Sequence, residues 1–194
     1  TGLVGEGRTS TVYEYGAGCV VKVPKPHIPD EWIEVEAHFA SAVERIGAPA
    51  PAVRDVVTVG GRPSVVFDRI DGESMWDVLR REPARRPALI ADFVDLQRRI
   101  HALSLPSELP DAVGRMEGKL AGFGSLDATD LASACSLLRA LPRGAAVLHG
   151  DLHPGNGLVS GEGLVAIDWF DVAIGHPVTD VLRTALLLRP LESP

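Results

Sequence analysis

The sequence predicts an α+β fold in two lobes. An antiparallel sheet with one helix is expected over residues 1–67, a hinge over 68–72, and a mainly helical lobe with a short catalytic β-hairpin over 73–194. Three observations predict it. The first 67 residues alternate short β-branched runs with glycines, interrupted by one helical pattern. The Gly60-Gly61 pair stands between two such runs, a strong hairpin signal. From Ser74 to Leu141 the periodicity turns helical, after which two short apolar runs each lead into an acidic residue. A chain of 194 residues can bury a sizeable core as one unit of two lobes.

The elements follow in order. Val4 to Tyr15 contains Gly5, Gly7 and then Ser10 where a third glycine would stand, with Val12 two residues later, which reads as a hairpin folded over phosphates. A degenerate Walker A from Gly2 to Thr9 fits worse: it needs a strand before Gly2 and a helix after Thr9, and the following residues are β-branched and aromatic. The next strand, Cys19 to Val23, holds Lys22 inside an apolar run, where a lysine is costly unless paired or facing a ligand. A snorkelling edge lysine is the plainer alternative. A helix is expected after Pro29, capped by Asp30, with Trp32, Val35, Phe39, Val43 and Ile46 as its apolar stripe and a stop at Gly47. Glu36 is chosen over Glu34 as the partner of Lys22, because it lies nearer the buried side; Glu31 and Glu44 read as solvated charges. Strands at 51–59 and 62–67 form the Gly60-Gly61 hairpin. Main-chain groups of Asp68, Arg69 and Ile70 would then meet a nucleobase, since an extended strand presents a donor beside an acceptor.

In the second lobe, helices are expected from Ser74, over Ala88 to Leu103, and over 126–141. Core positions of the second are Ile90, Phe93, Val94, Leu96, Ile100 and Leu103, with His101 packed or capping rather than a ligand. Pro106 to Pro110 reads as a connection, and Leu120 to Phe123 has no clear pattern. The basic cluster Arg80-Arg81 and Arg85-Arg86, punctuated by prolines, reads as a solvated loop.

The chemistry concentrates near the end. His149-Gly150-Asp151-Leu152-His153-Pro154-Gly155-Asn156 is followed by Ile167-Asp168-Trp169-Phe170-Asp171. Asp151 and Asn156 are five apart, and Asp168 comes seventeen after Asp151, the spacing of a phosphoryl-transfer loop. There Asp151 would take the acceptor hydroxyl's proton, while Asn156 and Asp168 would hold Mg²⁺ across the phosphates of ATP or GTP. A metallophosphoesterase would need further His, Asp and Asn ligands on separate strand ends, and the first 140 residues contain no Asp-x-His. An exposed Asp/Asn turn would not need the whole set.

This order of parts resembles the aminoglycoside phosphotransferase family, over essentially the whole chain. The resemblance rests on the glycine loop, Val21-Lys22-Val23, the Glu36 helix, Phe67 to Gly72, His149 to Asn156 and Ile167 to Asp171. It implies a bilobal protein-kinase-like fold, two Mg²⁺ ions and phosphorylation of a small molecule's hydroxyl. His-Gly-Asp and Ile-Asp-Trp stand where protein kinases have His-Arg-Asp and Asp-Phe-Gly, and no Ala-Pro-Glu follows, which points to the small-molecule branch. Lys22, fixed by Glu36, would place the phosphates, and Gly5, Gly7 and Ser10 would cover them with N–H groups. In His176 to Thr184, Asp180 would brace the catalytic loop. Fuller relatives build the acceptor pocket from a helical segment after the metal-binding Asp, whereas 26 residues follow Asp168 (194 − 168). The chain begins at Thr1 without a Met, as a processed or trimmed chain would.

The acceptor is left among aminoglycosides, other antibiotics, choline-like alcohols and sugars. An acidic cleft from Asp171, Asp180, Asp127 and Asp130 would suit a cationic acceptor; for the last two, helix-start chemistry is an equal reading. The rival functions are a catalytically dead nucleotide-binding module, a protein kinase and a non-catalytic interaction domain. The net charge of −7 argues against a nucleic-acid partner. Two cysteines form no disulfide framework, and neither a signal peptide nor a run of about 18 apolar residues appears, so a cytoplasmic protein with no membrane partner is expected.

Overall fold

The computed structural model describes residues 2–122 and 124–189. Its N-terminal part is a five-stranded antiparallel sheet in the order β1-β2-β3-β5-β4, with β1 at Leu3–Glu6, β2 at Ser10–Glu14, β3 at Cys19–Pro24, β4 at Val53–Val59 and β5 at Arg62–Asp68. Lys22 pairs with Val12 on one side and Val65 on the other, so it sits on an inner strand of the sheet. Gly60 and Gly61 both have positive φ, 59° and 84°, the backbone that a two-residue turn between right-twisted strands requires.

Helix α1, Glu31–Arg45, covers this sheet. Its buried residues are Ile33, Glu36, Ala37, Ala40, Ala42 and Val43; Val43 is core as expected, but Trp32 is 45% exposed and Val35 37%, which corrects the expectation for those two. The true stripe places a carboxylate among apolar residues, which amphipathic pattern-matching penalises. Asp30 does not cap the helix, because its carboxylate is taken by the guanidinium of Arg62. Gly47, with φ 79°, ends it as expected.

The C-terminal part begins with β6 (Gly72–Ser74) and α2 (Met75–Arg81), which Ser74 caps by accepting from Asp77 N–H. Helix α3, Arg86–His101, buries Leu89, Phe93, Leu96, Gln97 and Ile100; Phe93, Leu96 and Ile100 are core as expected, whereas Ile90 and Val94 are half exposed and Leu89 takes their place. Leu89, Leu96 and Ile100 are at most 1% exposed, and each contributes about 1.5–3 kcal/mol by burial. Arg80 and Arg81 end α2, each paired to acids; they are not loop residues. Helix α4, Ala112–Ala121, was not expected, since Gly114 and Gly118 interrupt its pattern. Helix α5 spans Ala128–Ala140. The expectation at Phe123 lies outside the described residues.

The two apolar runs near the end do not pair with each other. β7 (Ala146–Leu148) pairs with β10 (Ala173–Gly175), whereas β9 (Gly163–Ala166) pairs with β8 (Gly157–Ser160), which in turn pairs with β6. The short hairpin is therefore β8–β9. Helix α6, Pro177–Leu187, closes the described chain. Apolar side chains from α1, the sheet, α3, β7 and the turn at Trp169 form one contiguous core. No described helix is long and apolar enough to cross a membrane.

Candidate active site

Between the sheet and the helical part lies a cavity of about 780 Å³. Lys22, Glu36, Asp151, Asn156 and Asp168 all line it, together with Gly7, Ser10 and the loop between them. Gly5, Asp68, Arg69 and Ile70 do not.

Lys22 Nζ donates to Glu36 Oε1 and, at 3.2 Å, to Asp168 Oδ1, residues 14 and 146 positions away. Burial would push the ammonium pKa down, but the two carboxylates outweigh it and hold it above the ordinary lysine value. Burial pushes the Glu36 carboxyl up, with Lys22 opposing. The direct contact of Nζ with the carboxylate makes the pair an ion pair, and removing one partner would strand the other charge.

Asp168 adopts a left-handed backbone, φ 66° and ψ 65°, the only non-glycine among the described residues with positive φ. Such strain costs of the order of 1–3 kcal/mol and persists where surroundings impose it. The following Trp169 is 2% exposed, donates its indole N–H to Ala166 O at 2.9 Å and packs on the His149 ring at 4.5 Å.

The loop after β7 is held from below by α6. Asp180, 1% exposed, accepts from His149 N–H at 3.1 Å and Gly150 N–H at 2.8 Å, and contacts His101 Nε2 at 3.0 Å. Burial would raise its pKa, but these partners outweigh it and keep the carboxylate ionised. Thr184 Oγ1 donates to Leu152 O at 2.7 Å. His149 is fully buried and accepts from Asp151 N–H at Nδ1, 3.3 Å, while Nε2 lies 3.1 Å from Ile167 O. Those partners select the neutral Nε2–H tautomer, and burial pushes its pKa down. Gly150 has φ 80°, and a Cβ there would lie 2.1 Å from Asp171 O. A glycine therefore stands between His149 and Asp151 because the backbone at Asp171 leaves no room for a side chain.

Asn156 Nδ2 donates to Asp151 O at 3.0 Å, which leaves its carbonyl Oδ1 without a hydrogen-bond donor among the described residues. A spare amide oxygen and the Asp168 carboxylate form a hard-oxygen pair that fits Mg²⁺, which is usually held by one or two such groups plus phosphates and water. No group of three or more His, Cys, Asp or Glu able to hold a metal occurs among the described residues.

Sequence reading missed Arg183. Its guanidinium donates to Asp151 Oδ1 at 3.0 Å from α6. It also missed Arg115 and Lys119 of α4, both of which pair with Asp171. The glycine loop departs in detail: Gly7 N–H donates to Ser10 O at 2.9 Å, so it is not free for a phosphate, whereas the N–H groups of Arg8 and Thr9 take no main-chain acceptor among the described residues. At the hinge, the N–H groups of Asp68 and Arg69 are bound to Ala52 O and Gly18 O, and that of Ile70 has no such partner.

Among the described residues, the four acids expected to form an acceptor cleft do not come together. Asp127 caps α5, with Asp130 in its first turn; Asp180 is buried beneath the loop at 149–150; Asp171 is neutralised by Lys119 and Arg115. Burial would raise the Asp171 pKa, but those two cations hold it below the ordinary carboxylate value.

Comparison with known proteins fits this geometry. The family described as "Phosphotransferase enzyme family" matches residues 3–193. An aminoglycoside-3'-phosphotransferase of type VIII superposes with a TM-score of 0.70 at 21% identity, over 98% of this chain and 78% of that one. A choline/ethanolamine kinase family protein from Mesorhizobium loti gives 0.62 at 21% identity, over 93% of this chain and 62% of its own. The streptomycin–ATP ternary complex of APH(2")-IIa gives 0.58 at 17% identity, over 93% and 68%. The chain thus spans about three fifths to four fifths of these neighbours' lengths, and the fold is theirs. Comparison with curated proteins gave no match.

Proposed function

Because the chain belongs to the phosphotransferase enzyme family, we propose that it moves the γ-phosphoryl of ATP or GTP to a hydroxyl of a small acceptor. The observation that carries this reading is Lys22, which bridges Glu36 of α1 and Asp168 across a cavity lined also by Asp151 and Asn156.

Phosphoryl transfer asks the protein to align two reactants and to neutralise spreading charge. Lys22, oriented by Glu36, binds the nucleotide phosphates. The free N–H groups of Arg8 and Thr9 at the hairpin tip cover them, and Ile70 N–H with the neighbouring Asp68 carbonyl meets the base. Asp151 orients the acceptor hydroxyl and takes its proton as the oxygen attacks the γ-phosphorus; the bond to the β–γ bridging oxygen breaks and the nucleoside diphosphate leaves. Asn156 and Asp168 would hold Mg²⁺, which would supply positive charge to the phosphate oxygens. Arg183 fixes the Asp151 carboxylate in one rotamer.

Among acceptors, the ion-paired state of Asp171 and Asp151 favours a sugar-type alcohol or an uncharged antibiotic over a polyamine or a choline-like cation. A nucleoside triphosphate co-substrate and the free thiols Cys19 and Cys135 support a cytoplasmic setting.

The test is nucleotide consumption with and without Mg²⁺ against a panel of hydroxyl acceptors, with phosphorylated product followed by ³¹P NMR. We expect Mg²⁺-dependent product with one acceptor class. Absence of both nucleotide binding and product across the panel would sink the reading.

A further inference from the structure

Helix α4 buries none of its residues fully, yet Arg115 reaches from it into the centre of the molecule, with a side chain 17% exposed. Its guanidinium carbon lies 5.3 Å from the ring centroid of Phe39 on α1 and 5.3 Å from that of Phe170 in the turn after β9. Nη2 donates to Phe170 O and, at 3.2 Å, to Asp171 Oδ1. Phe170 in turn packs on Trp32 of α1, with centroids 5.2 Å apart.

The placement of the two rings carries the inference. Phe39 follows Glu36 by three residues, less than one helical turn. Phe170 follows Asp168 by two. Lys22 joins the Glu36 and Asp168 side chains directly, and Arg115 joins the two backbone segments that present them. The position carries a cost: Arg115 Nε is buried with no hydrogen-bond partner among the described residues, and such atoms are rare in native interiors.

We propose that Arg115 is a positioning residue that clamps α1 to the turn at 168–171, so that Glu36 and Asp168 present their carboxylates to Lys22 at the same time. The guanidinium is required, because it lies against both rings while its N–H groups donate to a carbonyl and a carboxylate; an ammonium cannot do both. The clamp also reaches the cavity through α4, whose Lys119 lines it and pairs with Asp171. The part of this that concerns nucleotide rests on the function proposed above.

The test uses the full chain with Arg115→Lys and Arg115→Met. Calorimetry with AMP-PNP and Mg²⁺ should show affinity weakened about tenfold in both, the scale of losing two ring contacts and a charged hydrogen bond. Hydrogen exchange should show amides at 36–40 and 168–172 losing protection together, with far-UV circular dichroism unchanged. If Arg115→Met does not fold, Phe39→Leu removes one face of the stack and should give the same paired loss. Loss confined to α4, or wild-type behaviour of Arg115→Lys, overturns the clamp. If the wild type binds no nucleotide, the function above fails, and the exchange pattern still decides the role of Arg115.

Discussion

Arg183 Nη2 lies 3.0 Å from Asp151 Oδ1, joining the last described helix to the carboxylate proposed as the catalytic base. Both side chains are part-exposed, 43% and 29%, so the pair contributes little stability, of the order of 0–1 kcal/mol. Its effect is orientation. Asn156 reaches the same residue, with Nδ2 3.0 Å from the Asp151 carbonyl.

From this arrangement, Asp151→Asn should keep the shape and remove the charge, lowering turnover by roughly 10²–10⁴-fold, the range for a general base. Arg183→Gln should lower it less, by about tenfold, because the base survives with a freer rotamer. Nucleotide affinity should hold in both. Steady-state kinetics with the identified acceptor checks this, and unchanged turnover in Asp151→Asn removes the assignment.

The two residues proposed to hold Mg²⁺ can be separated by charge. Asp168→Ala removes a carboxylate ligand of a hard cation and frees Lys22 from one partner, so Mg²⁺-dependent nucleotide affinity should fall by about a hundredfold. Asn156→Ala removes a neutral oxygen, and the loss should be nearer tenfold. Titration calorimetry at fixed Mg²⁺ measures both; equal affinity of wild type and Asp168→Ala would reject the site.

Lys22 and Glu36 should behave as one unit. Lys22→Met and Glu36→Gln each leave a buried group without its partner, whereas the double variant leaves neither charge. The nucleotide KM or kcat of the double variant should therefore be less damaged than the sum of the single losses, with a coupling of about 0.5–3 kcal/mol. Additive losses would show that the contact carries no function.

Much of this site was legible in the sequence because its parts are local. Asp151, Asn156 and Asp168 fall within one stretch, with glycines and a proline that force a tight loop, and Lys22 advertises itself as a charge in a strand. Glu36 was chosen correctly on an apolar stripe rotated from the true one. Trp32 and Val35 looked like core by hydrophobicity, yet α1 turns Ile33, Ala37 and Ala40 inward, because small residues let it approach the sheet. What the sequence hid is long-range: the Asp171–Lys119 contact spans 52 positions (171 − 119), Asp151–Arg183 spans 32, and no periodicity pairs charges across such distances. Helix α4 escaped for a local reason, its two glycines.

The last prediction follows from His149, which is neutral and fully buried while its two nitrogens tie Asp151 N–H to Ile167 O. Burial pushes its folded pKa below the ordinary value of 6.5. Above that value the imidazole is neutral in both folded and unfolded chains and contributes no pH dependence. As pH falls through about 6.5, the unfolded chain takes up a proton that the folded site refuses, and stability is lost at up to about 1.4 kcal/mol per pH unit until the folded pKa is reached. Depressed carboxylates such as Asp180 act in the same direction at lower pH, below the ordinary carboxylate range. Thermal unfolding of the wild type and His149→Gln between pH 7.5 and 5.5 isolates the histidine, because every other group is shared. The wild-type curve should fall more steeply below pH 6.5, although the variant is the less stable of the two at pH 7.5. Parallel curves would mean that His149 charges freely in the folded chain, and its bond to Ile167 O would then have to be shared with a proton on Nδ1 facing the Asp151 N–H.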